Sequence, residues 1–148
     1  MSEENTQANR RVVLQFMEGM GTNNAELAAP CLAPDACAIA KGYGRLAGRR
    51  EAATMTGMIE AFKGMLPTGL NLTIHRVIAD GDNVAVEAEG DGTTSLGTPY
   101  RNQYCFVFTL ENGKIKQVNE YFCTIHADEV LWPLVEKLQG AAAEVSQP

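Results

Sequence analysis

The sequence predicts an α+β fold, with helices first and an antiparallel sheet after them. Three observations carry this. Apolar residues recur at helical spacing up to about residue 70, they alternate with period two from there to Thr124, and two Asx-Gly pairs split that second half into hairpins. Helices segregated from strands exclude a doubly wound parallel sheet. The 148 residues contain no linker, repeat or low-complexity tract, which predicts a single domain over 6–139 with residues 1–5 and 140–148 as flexible ends.

Val12, Val13, Phe16, Met17 and Met20 share one helical face, so a helix is expected over 6–20, closed by Gly21. Asn23-Asn24 can cap a short second helix over 25–32. Ala36 to Lys41 reads as a short strand, and Gly42, Gly44 and Gly48 as a mobile loop. Met55, Met58, Ile59, Phe62 and Leu66 repeat as a helix that Pro67 and Gly69 stop. Leu70–Ala79 and Asn83–Thr94 pair as strands around Asp80-Gly81, and Tyr100–Glu111 and Lys114–Thr124 pair around Asn112-Gly113. Asp128 to Leu138 is a closing helix with Pro133 near its first turn, where proline is tolerated. A curved, mostly antiparallel sheet wrapped around the N-terminal helices would leave a cone-shaped internal apolar pocket.

Charge and composition narrow the function. Twelve Lys+Arg against 18 Asp+Glu give a net charge of −6, which argues against a nucleic-acid partner because phosphates need a basic surface. No apolar run approaches the roughly 20 residues of a membrane span. Met1-Ser2-Glu3-Glu4-Asn5 lacks the basic start and apolar stretch of a signal peptide, so a cytoplasmic location is expected. Cys31, Cys37, Cys105 and Cys123 form no C-x-x-C pair and fit reduced thiols there. With His75 and His126 far apart, no metal site is expected.

Several stretches together carry a resemblance: Val12-Val13-Leu14-Gln15-Phe16-Met17-Glu18, the Gly48-Arg49 entry to the third helix, and Ala79-Asp80-Gly81-Asp82-Asn83-Val84-Ala85-Val86. Asn102-x-Tyr104 and Gly113-Lys114-Ile115 followed by Glu120-Tyr121-Phe122 complete it. In order and spacing they are similar to the nuclear-transport-factor-two-like superfamily, nearest its SnoaL-like polyketide cyclase, ketosteroid isomerase and limonene epoxide hydrolase branches. The resemblance spans residues 8–135 and implies a homodimer with a lipophilic small-molecule substrate and no cofactor.

Strand alternation then proposes a pocket wall. With Asn112-Gly113 as a two-residue turn, one face collects Phe108 with Gln117, Phe106 with Asn119, Tyr104 with Tyr121, and Asn102 with Cys123. The opposite face collects Thr109 with Lys116, Val107 with Val118, Cys105 with Glu120, and Gln103 with Phe122. The first face resembles a small-molecule site, an apolar wall with a few converging polar groups. The resemblance agrees, because family enzymes place a functional carboxylate at the position matching Cys123. The second face would lie outside, where relatives commonly dimerise. A one-residue bulge would exchange the two faces. In the first hairpin, Asp80-Gly81 as the turn opposes His75 to Val86. An inward His75 would be the one group titrating near neutrality, and a histidine hydrogen-bonded at a strand edge is the alternative.

Tested residue by residue, the family's acids are missing. The positions matching the limonene-type epoxide hydrolase set are Ala38, Ala40, Ala88, Gly90 and Cys123. An isomerase base would fall at Ala40 and the first-helix tyrosine at Phe16, with the second acid near Tyr104. SnoaL-type cyclases keep an aspartate after Glu-Tyr-x, where this chain has Cys123. That thiol can be a nucleophile or acid–base group if its pKa is lowered, or a small packing residue. Cys31, Cys37 and Cys105 carry less suggestion of chemistry.

Tyr104 and Tyr121 can donate to a developing oxyanion or be core aromatics. Asn102 and Asn119 can orient a carbonyl or water, or satisfy each other. Glu120 becomes a buried acid only if the register slips. Phe106 and Phe16 would hold substrate, and Tyr43, between Gly42 and Gly44, would sit on a lip over the pocket mouth. Arg49 and Arg50 are expected in solvent or paired with Glu51, and the helical methionines as core filler, some of which could line an adaptable pocket.

The expected function is a cofactor-independent cyclisation or isomerisation of a lipophilic molecule by proton transfer. Tyr104 and Tyr121 would polarise the substrate, Asn102 and Asn119 orient it, and Cys123 or His75 move the proton. The competing readings are a non-catalytic binding or dimerisation module and an atypical epoxide hydrolase.

Overall fold

The computed structural model describes residues 2–138. Helix α1 spans Glu3–Gly21. Ser2 caps it by accepting from the Asn5 amide at 3.1 Å, and Glu3 and Glu4 lie at the positive end of the helix dipole. The helix therefore starts ahead of the apolar stripe: residues 3–5, expected to fray, are held by a cap rather than by burial. The tail at 140–148 lies outside the described residues.

Asn24 caps α2 (Ala25–Ala28) through the Leu27 amide, and a 3₁₀ turn at Ala29–Cys31 leads into β1 (Leu32–Ala40). β2 (Gly48–Glu51) folds back antiparallel on β1, with Ala38 opposite Arg50 and Ala40 opposite Gly48. This strand occupies the segment expected to open the third helix, and α3 follows at Ala52–Ala61. Next come β3 (Thr73–Asp80), β4 (Asn83–Thr93), β5 (Pro99–Glu111) and β6 (Lys114–Phe122). The chain closes with α4 (Thr124–Val130), a break at Leu131, and a helical stretch at 132–138 with Pro133 in its first turn.

The six strands form one curved, open sheet in the order β2-β1-β6-β5-β4-β3, antiparallel except where β1 runs parallel to β6. This is the expected α+β arrangement, with α1 packed on the inner face. Val13, Phe16 and Met17 of α1 meet Val84, Val86, Phe106, Phe108 and Val118 of the sheet in the main core. A second cluster gathers Met65, Leu66, Tyr100, Ala127, Leu131 and Leu134.

Both hairpins carry one extra residue on one strand, and this corrects the predicted registers. Near the Asn112-Gly113 turn the pairs are as expected, Glu111 with Lys114 and Leu110 with Ile115. Past Lys116 the pairing shifts by one, so Thr109 meets Gln117, Phe108 meets Val118, Phe106 meets Glu120 and Tyr104 meets Phe122. Ile115 and Val118 stand three apart, which plain alternation cannot bury on one face. The bulge puts both in the core and leaves Lys116 free to pair with Asp35 of β1.

The β3–β4 hairpin does the same. Ile74 and Val77 both pack inward, and His75 between them is the extra residue. Its turn is Gly81-Asp82 rather than Asp80-Gly81. Gly81 takes φ 61° at the first central position, where a II′-type turn needs glycine. Helix α1 grips this turn: Thr6 Oγ1 accepts from the Gly81 amide at 3.0 Å, and Asn9 Nδ2 donates to the Gly81 carbonyl at 2.9 Å.

Candidate active site

Between the two core clusters lies an internal cavity of about 560 Å³. Its walls are the side chains of Phe16 and Met20 from α1, Ala38 and Ala40 from β1, Met55, Met58 and Ile59 from α3, and Phe106 and Phe122 from the second hairpin. The final helix contributes Trp132, Val135 and Leu138. The predicted apolar pocket is present, and helical methionines line it. Ala38 and Ala40 bring only methyl groups where the family's acids would stand.

Strand β5 aims the polar groups. Its alternation turns Tyr100, Asn102, Tyr104 and Phe106 inward, as the sequence predicts. Tyr100 and Tyr104 share a hydrogen bond, Oη to Oη, at 3.3 Å, and Asn102 Nδ2 donates to Tyr100 Oη at 2.8 Å. Burial pushes both phenols up, most strongly Tyr104, so each keeps its proton through the neutral range. The ring of His126 stacks on Tyr100 at 5.4 Å.

Asn102 is a clamp rather than a ligand for substrate. Its Oδ1 accepts from the Gln103 amide at 2.8 Å and the Cys123 amide at 3.0 Å, while Nδ2 also donates to the Cys123 carbonyl at 3.0 Å. Both donors and both lone pairs of its amide are thereby occupied. It fastens the end of β6 to β5 and holds the Tyr100 hydroxyl.

Three expected site residues lie off the cavity, Tyr121 and Asn119 because of the bulge at Lys116 and Cys123 because β6 ends before it. Tyr121 is exposed on the outer face, Asn119 there accepts from Gln117 Nε2 at 3.0 Å, and Cys123 caps α4 at a shallow surface depression beside Arg101 and His126. His75, bulged outward, lies 3.6 Å from Glu89 with 55% of its side chain exposed. Tyr43 projects fully into solvent from the 41–47 loop. Phe16, Phe106 and Tyr104 are the expected site residues that do line the cavity. Phe122 and Val118, expected outside, point inward.

The same shift brings in Glu120, the one carboxyl group lining the cavity among the described residues. On that wall, burial pushes its pKa up from the usual carboxylate range, with Arg50 pulling the other way. Arg50, expected in solvent, lines the cavity because strand alternation in β2 puts it on the Ala38 side, while Arg49 turns outward to Glu51 at 2.8 Å. Its guanidinium is held by the Leu46 carbonyl at 2.7 Å and the Gly48 carbonyl at 3.3 Å. Arg45 lies over the Trp132 ring at 5.7 Å, and its amide donates to the Asp128 carboxylate at 3.0 Å, tying the 41–47 loop to the C-terminal helices. Tyr100 was legible from the alternation of β5; Arg50 needed β2, which the sequence does not display, and Glu120 needed the bulge.

A curved sheet folded over α1 around one internal cavity defines the nuclear-transport-factor-two-like class of domains. Within that class, residues 13–118 match the SnoaL-like domain, and the chain belongs to that family. Among solved structures, an NTF2-like protein from Burkholderia xenovorans LB400 is 22% identical, with 84% of this chain and 96% of that one covered at a TM-score of 0.67. An LEH-like epoxide hydrolase from M. tuberculosis is 20% identical over 91% of this chain and 98% of that one, TM-score 0.68. A protein with a ketosteroid isomerase-like fold from Catenulispora acidiphila is 16% identical over 74% and 83%, TM-score 0.64. At these identities the likeness shows the fold. No curated protein is a significant match to the sequence. No helix among the described residues is long and apolar enough to cross a membrane.

Proposed function

We propose that this protein is an enzyme that isomerises or cyclises a lipophilic small molecule by proton transfer, with Glu120 as the acid–base group and Tyr104 as donor to the oxygen where charge develops. The observation that carries the reading is one carboxyl, the only one among the described residues on an apolar cavity wall, next to a hydrogen-bonded tyrosine pair. A carboxyl group raised toward neutrality is matched to proton transfer at carbon. Asn102 donates to Tyr100, and either hydroxyl can donate in the Tyr100–Tyr104 bond; with Tyr100 donating, the Tyr104 hydrogen is left for the substrate. The proton moves between substrate carbon and Glu120, so the step needs no electron carrier. Glu120 here replaces Cys123 and His75, which stand outside the cavity.

Kemp elimination of 5-nitrobenzisoxazole tests this directly. Glu120 takes the ring C–H proton, that electron pair completes the nitrile, and the N–O bond breaks to a phenolate within reach of a donor. Glu120→Gln is expected to lower kcat/KM at least about 100-fold, as loss of a general base does. Tyr104→Phe should lower kcat about tenfold and Tyr121→Phe not at all. An unchanged rate in Glu120→Gln would remove the acid–base role and favour a binding module.

The protein also forms a homodimer in this reading, through the outer sheet face. Ile78, Val107 and Tyr121 are exposed there around Ala85 and Cys105, an apolar patch of the kind that pairs. A monomer in sedimentation equilibrium at micromolar concentration would overturn it. Four free thiols fit a reducing cytoplasm.

A further inference from the structure

We infer that the cavity takes a lipophilic acid, its apolar body among the methionines and phenylalanines and its anionic head on Arg50. The inference names the substrate class for the proton-transfer reading and rests on that reading for the role of Glu120. Its basis is the charge inventory of the wall. Arg50 lines the cavity, yet among the described residues no carboxylate lies within 4.0 Å of its guanidinium. Two backbone carbonyls fix the guanidinium's orientation without an ion pair, and Glu120 on the same cavity feels its charge from beyond ion-pair distance. A half-buried guanidinium with no ion-pair partner can take a bound carboxylate through charge-assisted hydrogen bonds.

Three further polar groups on the wall are donors, beside the Asn23 amide, which both donates and accepts. Trp132 Nε1 is buried without a hydrogen-bond partner, Arg45 stands beside its ring, and Tyr104 holds a proton. Glu120 is the one acid on the wall among the described residues, and burial raises its pKa. A donor-rich wall with unpaired positive charge selects against neutral alcohols and for anions. An acid on Arg50 would set the adjoining carbons beside Glu120, since Arg50 and Glu120 face the same cavity across β1, where Arg50 opposes Ala38 and Glu120 opposes Ala40.

Two fluorescent probes with one ring system separate the possibilities: 8-anilinonaphthalene-1-sulfonate, an anion, and N-phenyl-1-naphthylamine, its neutral counterpart. The anion is expected to bind the wild-type protein at least about tenfold more tightly, the worth of a hydrogen bond to a charged group. Arg50→Met and Arg50→Gln should abolish that preference while leaving the affinity for the neutral probe unchanged, which also reports that the cavity is intact. Equal affinities in the wild-type protein overturn the inference and leave the proton-transfer reading standing, because the neutral probe still fills the cavity. A preference that survives both Arg50 variants overturns the assignment to Arg50. Conversely, an unchanged Kemp rate in Glu120→Gln with the anion preference intact would sink only the proton-transfer reading.

Discussion

The two hairpins of the sheet are built alike and end differently. Each has a two-residue turn containing glycine, and each has one extra residue flanked by apolar side chains three apart, Ile74 and Val77 in one, Ile115 and Val118 in the other. In β3 the extra residue, His75, sits far from its turn, so the strand between keeps the register the turn sets. In β6 the extra residue, Lys116, follows the turn almost at once. Everything beyond it, Val118, Glu120 and Phe122, has changed faces. A bulge far from the turn evicts one side chain, whereas a bulge beside the turn re-aims a whole strand, and with it the cavity's acid.

Paired substitutions at neighbouring positions of β6 test that reading most severely. Val118 is fully buried, so Val118→Asp should cost at least about 4 kcal/mol, close to the whole stability of a domain worth about 5–15 kcal/mol. Asn119→Asp, on the outer face, should stay within about 0.5 kcal/mol. Urea unfolding measures both. The reverse ranking would mean that β6 keeps the unbulged register and that Tyr121, not Glu120, faces the cavity.

How much of this was legible in the sequence follows from the same bulges. The helical stripe of α1, the Asn112-Gly113 turn and the inward set Asn102, Tyr104 and Phe106 all obey a fixed period, and period is what sequence displays. The 3–5 segment escaped because a cap, not an apolar face, starts that helix. β2 escaped because four polar residues, Gly48 to Glu51, pair through backbone alone. The face of β6 escaped because alternation counts residues and a bulge adds one. The signal was present, though: two apolar residues three apart inside a period-two run, twice. Cys123 misled for another reason. Matching it to the family's acid assumed that β6 continues, but the strand ends at Phe122, and Cys123 turns out to cap the next helix.

A smaller effect sharpens the contrast between an acid inside and its surroundings. Glu120 has its pKa raised from 4.5 by burial, so the folded state binds more protons than the unfolded state above that pH. Stability must then fall as pH rises through the window that opens near 4.5, and the loss is complete above the folded value. Glu120→Gln removes the titration. Melting temperatures of the two proteins should therefore show a gap that is constant in acid and moves in favour of the variant as pH rises. A gap independent of pH would mean that Glu120 ionises freely, as an outward-facing carboxyl would.

The smallest effect belongs to His75, and its smallness is the point. Although it is one of only two histidines, the β3 bulge leaves it over half exposed, with Glu89 at 3.6 Å. Glu89 already has Arg101 Nη2 at 2.9 Å, so removing the imidazole leaves no carboxylate unpaired. Surface pairs of this kind contribute little, and His75→Ala should shift stability by less than about 0.5 kcal/mol. It should also leave the Kemp kcat unchanged across the pH range in which an imidazole titrates. A fall in kcat that tracks the imidazole would put His75 in the proton path, and the two bulges would then both serve the cavity rather than only one.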